Sequence, residues 1–147
     1  MSSHERNDTD ADVHTVWQAI LRDNFRHPHN RAAVQGMEHC GSSRNPLCGD
    51  HIEVGIDEDH GVITDVRFTG YACSIAVASA SLMTQAVQGS TTDMARELAD
   101  GIQQWFSDDS VDLPLPDLLQ PLRLLRRQSA RKRCAMLAWQ SLAKALP

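Results

Sequence analysis

Three of the four cysteines of this chain, together with one aspartate, could bind a metal ion. Cys48 and Asp50 stand two residues apart, and Cys73 and Cys134 follow at wide separations along the chain. Three thiolates and one carboxylate complete the four-coordinate shell of zinc, and cysteine thiolates also hold iron–sulfur clusters. Metal binding by these four side chains requires a fold that brings them to one point.

Local sequence around each residue indicates how that convergence could arise. Asn45-Pro46 is a turn signal before Cys48, and the glycine that follows Cys48 lets the backbone bend tightly. Side chains two apart in an extended strand point to the same side, which would align Cys48 with the aspartate. Cys73 is expected to open a helix. Cys134 is expected early in the last helix, where the helix dipole and the basic residues 131–133 should favour its thiolate.

The residue types alone leave other interpretations open. Scattered cysteines are often small buried hydrophobic residues, and no paired C-x-x-C strengthens the metal interpretation. An even number of cysteines could also form two disulfides. In a reducing cytosol, however, clustered cysteines bind metals or act in catalysis more often than they form bridges.

Composition limits the classes of protein to which the chain can belong. Its 147 residues suit one compact domain, and a hydrophobic content of 41% can build a core without disulfides. The net charge of −5 gives little support for nucleic-acid binding. No apolar run reaches membrane-spanning length, and Met1 to Asp12 is polar and acidic rather than signal-like. We therefore expect a cytoplasmic protein with neither a nucleic-acid nor a membrane partner.

The first half of the chain changes from a helical to an alternating pattern. Residues 1–9 are predicted to be a disordered tail. A helix capped by Asp10 or Asp12 should follow and end at His27-Pro28, because the residue before proline leaves the helical region. Its apolar stripe is Val13, Val16, Trp17, Ile20, Leu21 and Phe25. Alternation over 52–56 and 62–69 predicts a β-hairpin, and 34–38 could add a third strand.

The second half is predicted to be helical. A helix with an apolar stripe from Ile75 to Val87 should end at Gly89, and another should begin at Ser90-Thr91-Thr92. A short helix over 118–125 and a last helix from Ser129 nearly to Pro147 follow an acidic link. This order predicts an α+β fold: a small three-stranded antiparallel sheet covered on one face by helices, in a single domain over residues 10–147.

Four stretches around the candidate ligands occur in a specific order: Asn45-Pro46-Leu47-Cys48-Gly49-Asp50, Phe68-Thr69-Gly70-Tyr71-Ala72-Cys73-Ser74-Ile75, Ala78-Ser79-Ala80-Ser81-Leu82-Met83-Thr84 and Ala130-Arg131-Lys132-Arg133-Cys134-Ala135-Met136-Leu137-Ala138-Trp139. Together they resemble the IscU/NifU N-terminal family of iron–sulfur assembly proteins, and most closely its SufU branch. The resemblance runs from about Val13 to Ala145, and the joint occurrence of the stretches is far more specific than any one of them.

The resemblance to the SufU branch implies a zinc-dependent sulfur shuttle and the IscU/SufU-like fold. By position, Cys48, Asp50, Cys73 and Cys134 would be the zinc ligands, and Cys48 would also accept persulfide sulfur. Arg131 falls on a family arginine near the site. The implied partners are a SufS-type cysteine desulfurase and downstream iron–sulfur assembly proteins. The chain would then be a zinc-dependent sulfurtransferase, although its status as an enzyme stays open at this point.

Two further functions use the same residues. The chain could be a scaffold on which an iron–sulfur cluster is assembled, or a non-catalytic zinc-stabilised interaction module. Scaffold-type members of the family typically carry a histidine immediately before the last cysteine, where this chain has Arg133. The long segment between Cys73 and Cys134 is also similar to that of SufU-type members.

Three features of the sequence remain without an assigned role. Cys40 is extra; it could be a buried small residue, a second sulfur acceptor or a resolving thiol. Tyr71-Ala72 replaces a smaller, glycine-containing pair, which predicts altered packing near the site. The basic residues between 123 and 133 could be a solvated helix end or a docking face for an acidic partner, or they could be covered by the acidic link over 107–117.

Overall fold

The computed structural model describes residues 2–147, with side chains described from Asp12 onward. The strands form one antiparallel sheet in the order β1-β2-β3, and helices pack against one face of it, which confirms the predicted α+β class. In chain order the elements are α1 (Ser2–Arg26), β1 (His39–Arg44), β2 (His51–Asp59), β3 (Val62–Tyr71), α2 (Ser74–Val87), α3 (Thr92–Ser107), a 3₁₀ helix (Asp117–Leu125) and α4 (Ser129–Ala145).

The hairpin of β2 and β3 forms as the alternating pattern predicts. Val54 lies opposite Phe68 in the antiparallel register, and both side chains are fully buried. Ile52 and Ile56 occupy the same buried face of β2, because side chains two apart on a strand share a face. Helix α2 packs against β3, and α4 packs against β1 and β2. These two helices therefore cover the apolar face of the sheet.

The third strand lies elsewhere than the sequence pattern indicated. The prediction of a strand at residues 34–38 is wrong, because the Met37 N–H donates to the Val34 carbonyl and closes a turn there. The strand is β1, whose sequence contains no β-branched apolar residue that could mark it. Val34 and Met37 instead lie over the open face of the sheet, close to Gly55.

Helix α1 begins at Ser2, where the sequence predicted a disordered tail over residues 1–9 and a helix start at Asp10 or Asp12. No glycine or proline interrupts residues 2–26, so the helical pattern has no internal break. Met1 lies outside the described residues. The helix ends just before His27-Pro28, as predicted.

The predicted apolar stripe of α1 is only partly packed. Ile20 and Leu21 pack against the core, but Val16 is 55% exposed and Phe25 is 43% exposed. Polar contacts also hold the helix against α2, because Oδ1 of the buried Asn24 accepts hydrogen bonds from Ser81 Oγ at 2.7 Å and Gln85 Nε2 at 2.9 Å. Part of the apolar surface of α1 is consequently left open to solvent.

Small residues on α2 allow α4 to lie close to it. Ser79 Oγ donates to the Ala135 carbonyl at 2.7 Å and accepts from Trp139 Nε1 at 3.1 Å, and all three residues are fully buried. These contacts support a structural role for the small polar residues of α2. Within the part of the chain that the structure describes, no helix combines the length and apolarity needed to cross a bilayer.

The acidic link before the 3₁₀ helix covers only some of the basic residues, and mostly through backbone groups, because Arg127, Arg131 and Arg133 are exposed. Arg126 donates to the carbonyls of Trp105 at 2.8 Å and Asp108 at 2.9 Å, and its guanidinium lies 4.6 Å from the Trp105 ring centroid. Lys132 pairs with Asp109 at 3.1 Å. Arg126 thereby caps the C-terminal end of α3, where a cation is favoured by the helix dipole.

Substitution of Gly41 should test the close approach of β1 to α4. A Cβ at Gly41 would lie 2.5 Å from the Ala145 nitrogen and 2.5 Å from the Ser141 carbonyl oxygen, and backbone atoms cannot move aside as a flexible side chain can. We expect Gly41→Ala to lower the free energy of unfolding by about 1–3 kcal/mol in urea denaturation.

The matched control for Gly41→Ala is the same substitution within α3. A Cβ at Gly101 would meet only Leu113 side-chain atoms, at 3.4 Å and 3.5 Å, and alanine is the better helix former. Gly101→Ala should therefore raise stability by about 0.5–1 kcal/mol. Equal stability of the two variants would contradict the packing described for β1 and α4.

Candidate metal centre

A tight loop between β1 and β2 carries the first two candidate ligands. The Asn45 N–H donates to the Asp50 carbonyl and the Gly49 N–H donates to the Asn45 carbonyl, each at 2.8 Å. Gly49 has φ of +77°, a conformation that glycine adopts without strain. Cys48 and Asp50 thus lie in a turn that precedes β2, and not in the extended segment that was predicted from the sequence. The turn nevertheless aims both side chains the same way.

Cys48, Asp50 and Cys134 converge in space. Their ligand atoms, two Sγ and one carboxylate oxygen, all lie within 4.8 Å of one another. Among the side chains described from Asp12 onward, this is the one group of three or more histidine, cysteine or acidic residues with such spacing. Cys48 is exposed, whereas Asp50 and Cys134 are half-buried. The structure therefore brings Cys134 of the last helix together with two residues of the β1–β2 loop that lie far from it along the chain.

Cys73 adjoins this group from the end of β3. It is the N-cap residue of α2, and its backbone N–H donates to Asp50 Oδ2 at 3.2 Å. Its thiol also shares a hydrogen bond with Cys134, although its sulfur lies outside the 4.8 Å group. We call these four residues the cysteine–aspartate cluster. The structure thus brings three of the four predicted ligand side chains together, and Cys73 lies next to them.

The cluster is electrostatically unfavourable for negative charge. Burial raises the pKa of Cys134 to about 12, and the hydrogen bond with Cys73 and the negative charges of Cys73, Asp50 and Cys48 add to the increase. The prediction that the helix dipole and nearby cations favour the Cys134 thiolate is therefore wrong where only the protein's own groups act on the pKa of Cys134. Cys134 is the sixth residue of α4, and a helix dipole acts mainly on the first turn.

The chemistry of the donor set fits a divalent cation that prefers sulfur. Zinc takes cysteine sulfur and carboxylate oxygen in a tetrahedral shell, and a coordinating thiol is deprotonated by the bound ion. A cation at the cysteine–aspartate cluster would thus offset both the burial and the nearby negative charges that raise the pKa of Cys134.

Gly70 maintains the approach of the two segments that carry Asp50 and Cys73. Its φ is +138°, and a Cβ at this position would collide with the His51 carbonyl oxygen. The Gly70 carbonyl accepts a hydrogen bond from Arg31 Nη2 at 3.3 Å. The end of β3 can therefore lie directly against the start of β2, which places the Cys73 N–H on the Asp50 carboxylate.

The structure also settles the remaining predictions about cysteines and nearby residues. All four cysteines are free thiols, so the disulfide alternative is wrong, and Cys40 is exposed on β1 and not a buried small residue. Tyr71 is 87% exposed and Leu47 is 75% exposed. The side chain of Tyr71 therefore does not alter packing near the site, contrary to the prediction.

Arg131 lies beside the cysteine–aspartate cluster on an open cavity of about 550 Å³ between α1, α2 and α4. We call it the basic cavity, and its main lining residues are Leu21, Arg22, Phe25, Arg26, Ile75 and Arg131. Arg22 and Arg26 were not predicted from the sequence as functional residues. Their signal was the i,i+4 spacing of two arginines beside the apolar residues of α1.

Comparison with known proteins agrees with the fold and the motifs. The family described as NifU-like N terminal domain matches residues 17–147. The zinc-dependent sulfurtransferase SufU of Bacillus subtilis is 33% identical over 138 residues, which cover 91% of each chain. The iron–sulfur cluster assembly scaffold protein IscU of Streptococcus pyogenes is 31% identical, with 89% of this chain and 82% of that protein covered.

A solved structure shows the same fold at lower identity. The protein FiSufU of Fervidobacterium islandicum superposes with a TM-score of 0.78 at 21% identity, and the match covers 87% of this chain and 94% of that chain. The chain therefore belongs to the NifU-like N-terminal domain family, as its sequence motifs predicted.

Proposed function

We propose that this protein is a zinc-dependent sulfur acceptor in iron–sulfur cluster assembly, which takes persulfide sulfur from a SufS-type cysteine desulfurase. The observation that carries the proposal is the exposure of Cys48 within the cluster, where Asp50, Cys73 and Cys134 are half-buried. An incoming sulfur donor can reach Cys48 while the other three hold the site. The similarity to a protein named as a zinc-dependent sulfurtransferase supports the same activity.

Cys48, Asp50, Cys73 and Cys134 are the proposed zinc ligands. When bound, zinc would keep the thiols deprotonated without oxidising them, because it has no redox chemistry of its own. Three thiolates and one carboxylate against Zn²⁺ leave a formal charge of −2. A nearby cation should therefore stabilise the loaded site, and Arg131, which precedes Cys134 by one helical turn, is the proposed one.

Sulfur transfer follows from thiolate exchange at Cys48. The Cys48 sulfur attacks the outer sulfur of the donor's persulfide, and a new S–S bond forms as the donor's S–S bond breaks. The electron pair of the broken bond leaves with the donor cysteine as its thiolate. The exchange consumes no electrons, and Cys48 now carries the persulfide. The glycine-containing turn around Cys48 gives its side chain room to move during this step.

The proposal is tested by measuring the turnover of a SufS-type cysteine desulfurase with and without this protein. We expect alanine and sulfide release, in the presence of a thiol reductant, to increase several-fold with the zinc-loaded protein and not with chelator-treated protein. Restoring zinc should restore the stimulation. If the loaded protein leaves turnover unchanged with every SufS-type partner, the shuttle function is rejected.

A scaffold function is the second candidate, because relatives named as iron–sulfur cluster assembly scaffolds also match most of the chain. Arg133 stands where scaffold-type members typically carry histidine, which favours the sulfur acceptor. The two functions predict purified proteins of different colour. Zinc-loaded protein absorbs no visible light, whereas protein that carries an iron–sulfur cluster is brown, so the absorption spectrum of anaerobically purified protein distinguishes them.

A further inference from the structure

The basic cavity adjoins the cysteine–aspartate cluster at two points. Ser74, which lines it, directly follows Cys73, and Arg131 precedes Cys134 by one turn of α4. A group seated in the basic cavity would therefore lie beside the residues proposed to receive sulfur. Apart from Arg131, the proposed sulfur-acceptor chemistry uses no residue of α1 or of the cavity lining, so the role of the rest of this surface is unassigned.

The floor of the basic cavity is apolar, and Phe25 is its most exposed residue. Leu21 and Phe25 come from α1, Ile75 and Ala78 come from α2, and Leu125 ends the 3₁₀ helix. Phe25 is 43% exposed although it lies on the apolar stripe of its helix. Apolar surface of this kind that its own domain leaves uncovered is typical of interaction sites.

Three arginines surround this floor without compensating charge. Within the part of the chain that the structure describes, the side chains of Arg22, Arg26 and Arg131 make no hydrogen bond or ion pair, and no carboxylate lines the cavity. Some arginines outside the cavity have partners: Arg67 contacts Asp65 at 2.9 Å, and Arg126 donates to backbone carbonyls. Unpaired cations beside an apolar floor complement a partner that has acidic and apolar side chains together.

We propose that the basic cavity docks an acidic segment of the sulfur-donating desulfurase, with an apolar side chain of that segment on the floor beside Phe25. This inference rests on the proposed function and names the surface by which its partner is held. A small inorganic anion would pair with the arginines but leave the apolar floor uncovered. A polyanion such as nucleic acid is disfavoured by the net charge of −5.

The test is a charge reversal in α1, away from the proposed ligands. The variant Arg22→Glu/Arg26→Glu is titrated with a SufS-type desulfurase by calorimetry, and its zinc content and melting temperature are measured alongside. We expect the Kd for the desulfurase to rise at least about tenfold, mainly through slower association, with zinc content unchanged. The salt dependence of binding should also become weaker.

Two further variants test the docking mode. Arg127→Glu reverses a charge outside the basic cavity, and Phe25→Ala changes the apolar floor without changing any charge. Arg127 is exposed and lines a different cavity, beside Trp105, so its reversal should leave the Kd within about twofold of the wild type. Phe25→Ala should weaken binding as well, because it removes part of the apolar floor. An unchanged Kd in Phe25→Ala, or equal losses in Arg127→Glu and the double variant, would overturn the proposed docking mode.

The outcome also distinguishes this inference from the function on which it rests. If the wild-type protein stimulates the desulfurase and the Arg22→Glu/Arg26→Glu variant binds and stimulates equally well, the docking site is wrong and the sulfur-acceptor function stands. If the wild-type protein neither binds nor stimulates the desulfurase, both proposals are rejected.

Discussion

Replacement of Cys48 by alanine is expected to reduce the stimulated desulfurase turnover to that of the desulfurase alone. Cys48 is the exposed thiol of the cysteine–aspartate cluster, and alanine has no sulfur with which to attack a persulfide. In wild-type protein after reaction, mass spectrometry of the peptide that contains Cys48 should show the addition of one sulfur atom. The variant should show no such addition at any cysteine.

Cys40→Ala is the matched control, because Cys40 is also an exposed free thiol but lies on β1 outside the cluster. This variant should retain the stimulation. Loss of activity in Cys40→Ala would instead make Cys40 a second acceptor or a resolving thiol. If Cys48→Ala kept the stimulation while zinc stayed bound, the chain would be a zinc-stabilised interaction module and not a sulfur acceptor.

Removal of zinc is expected to lower the melting temperature by about 10 °C. Zinc at about a thousand times its Kd stabilises the folded state by about 4 kcal/mol, and each kcal/mol shifts the melting temperature of a domain of this size by about 2–4 °C. The donors of the cysteine–aspartate cluster come from separate elements, so a shared ion would hold these elements together. Differential scanning calorimetry of zinc-loaded and chelator-treated protein provides the measurement.

Asp50→Asn tests whether the stabilisation passes through the proposed ligands. Asparagine keeps an oxygen that can accept the Cys73 N–H bond, which is 3.2 Å long with the aspartate, but it removes the negative charge that zinc favours. The zinc-dependent increase in melting temperature should shrink by several degrees, while the metal-free protein should melt close to the wild type. An undiminished increase would place the bound zinc elsewhere in the protein.

The spacing of apolar residues along the chain correctly predicted the hairpin of β2 and β3 and helix α2. The hairpin of β2 and β3 alternates because one face of the sheet is buried, and α2 shows a helical stripe that ends at Gly89, just after its C-cap. In the hairpin the apolar residues match the buried face of the sheet, whereas α2 is buried on nearly all sides between Ala76 and Thr84, and its stripe marks only part of the covered surface. Local sequence was sufficient there because local and tertiary preferences agree.

Other elements depend on contacts that local sequence does not contain. Strand β1 consists of polar and small residues, and it forms because it pairs with β2 and because Gly41 admits α4. The exposed Val16 and Phe25 of α1 follow a core-like spacing without being packed into the core. The apolar stripe predicted the helix correctly, but it could not reveal which part of that stripe the domain covers.

The candidate ligands could be identified from motifs, whereas their electrostatics could not. The sequence indicated that Cys134 lies early in a helix beside cations, yet the dominant influences on its pKa are burial and the neighbouring Cys73, Asp50 and Cys48. Likewise, the sequence does not reveal that Arg22 is unpaired, because this depends on the absence of a carboxylate from the lining of the basic cavity. Both properties arise from tertiary neighbours.

The cysteine–aspartate cluster contains residues of the β1–β2 loop and of the last helix. It therefore cannot assemble before the last helix has been synthesised. A growing chain offers Cys48 and Asp50 long before Cys134 leaves the ribosome, and the β-hairpin can form in the meantime. The full ligand set therefore exists only after α4 has docked on the sheet. Capture of zinc would then mark the completion of folding, and truncated or misassembled chains would be left without their metal.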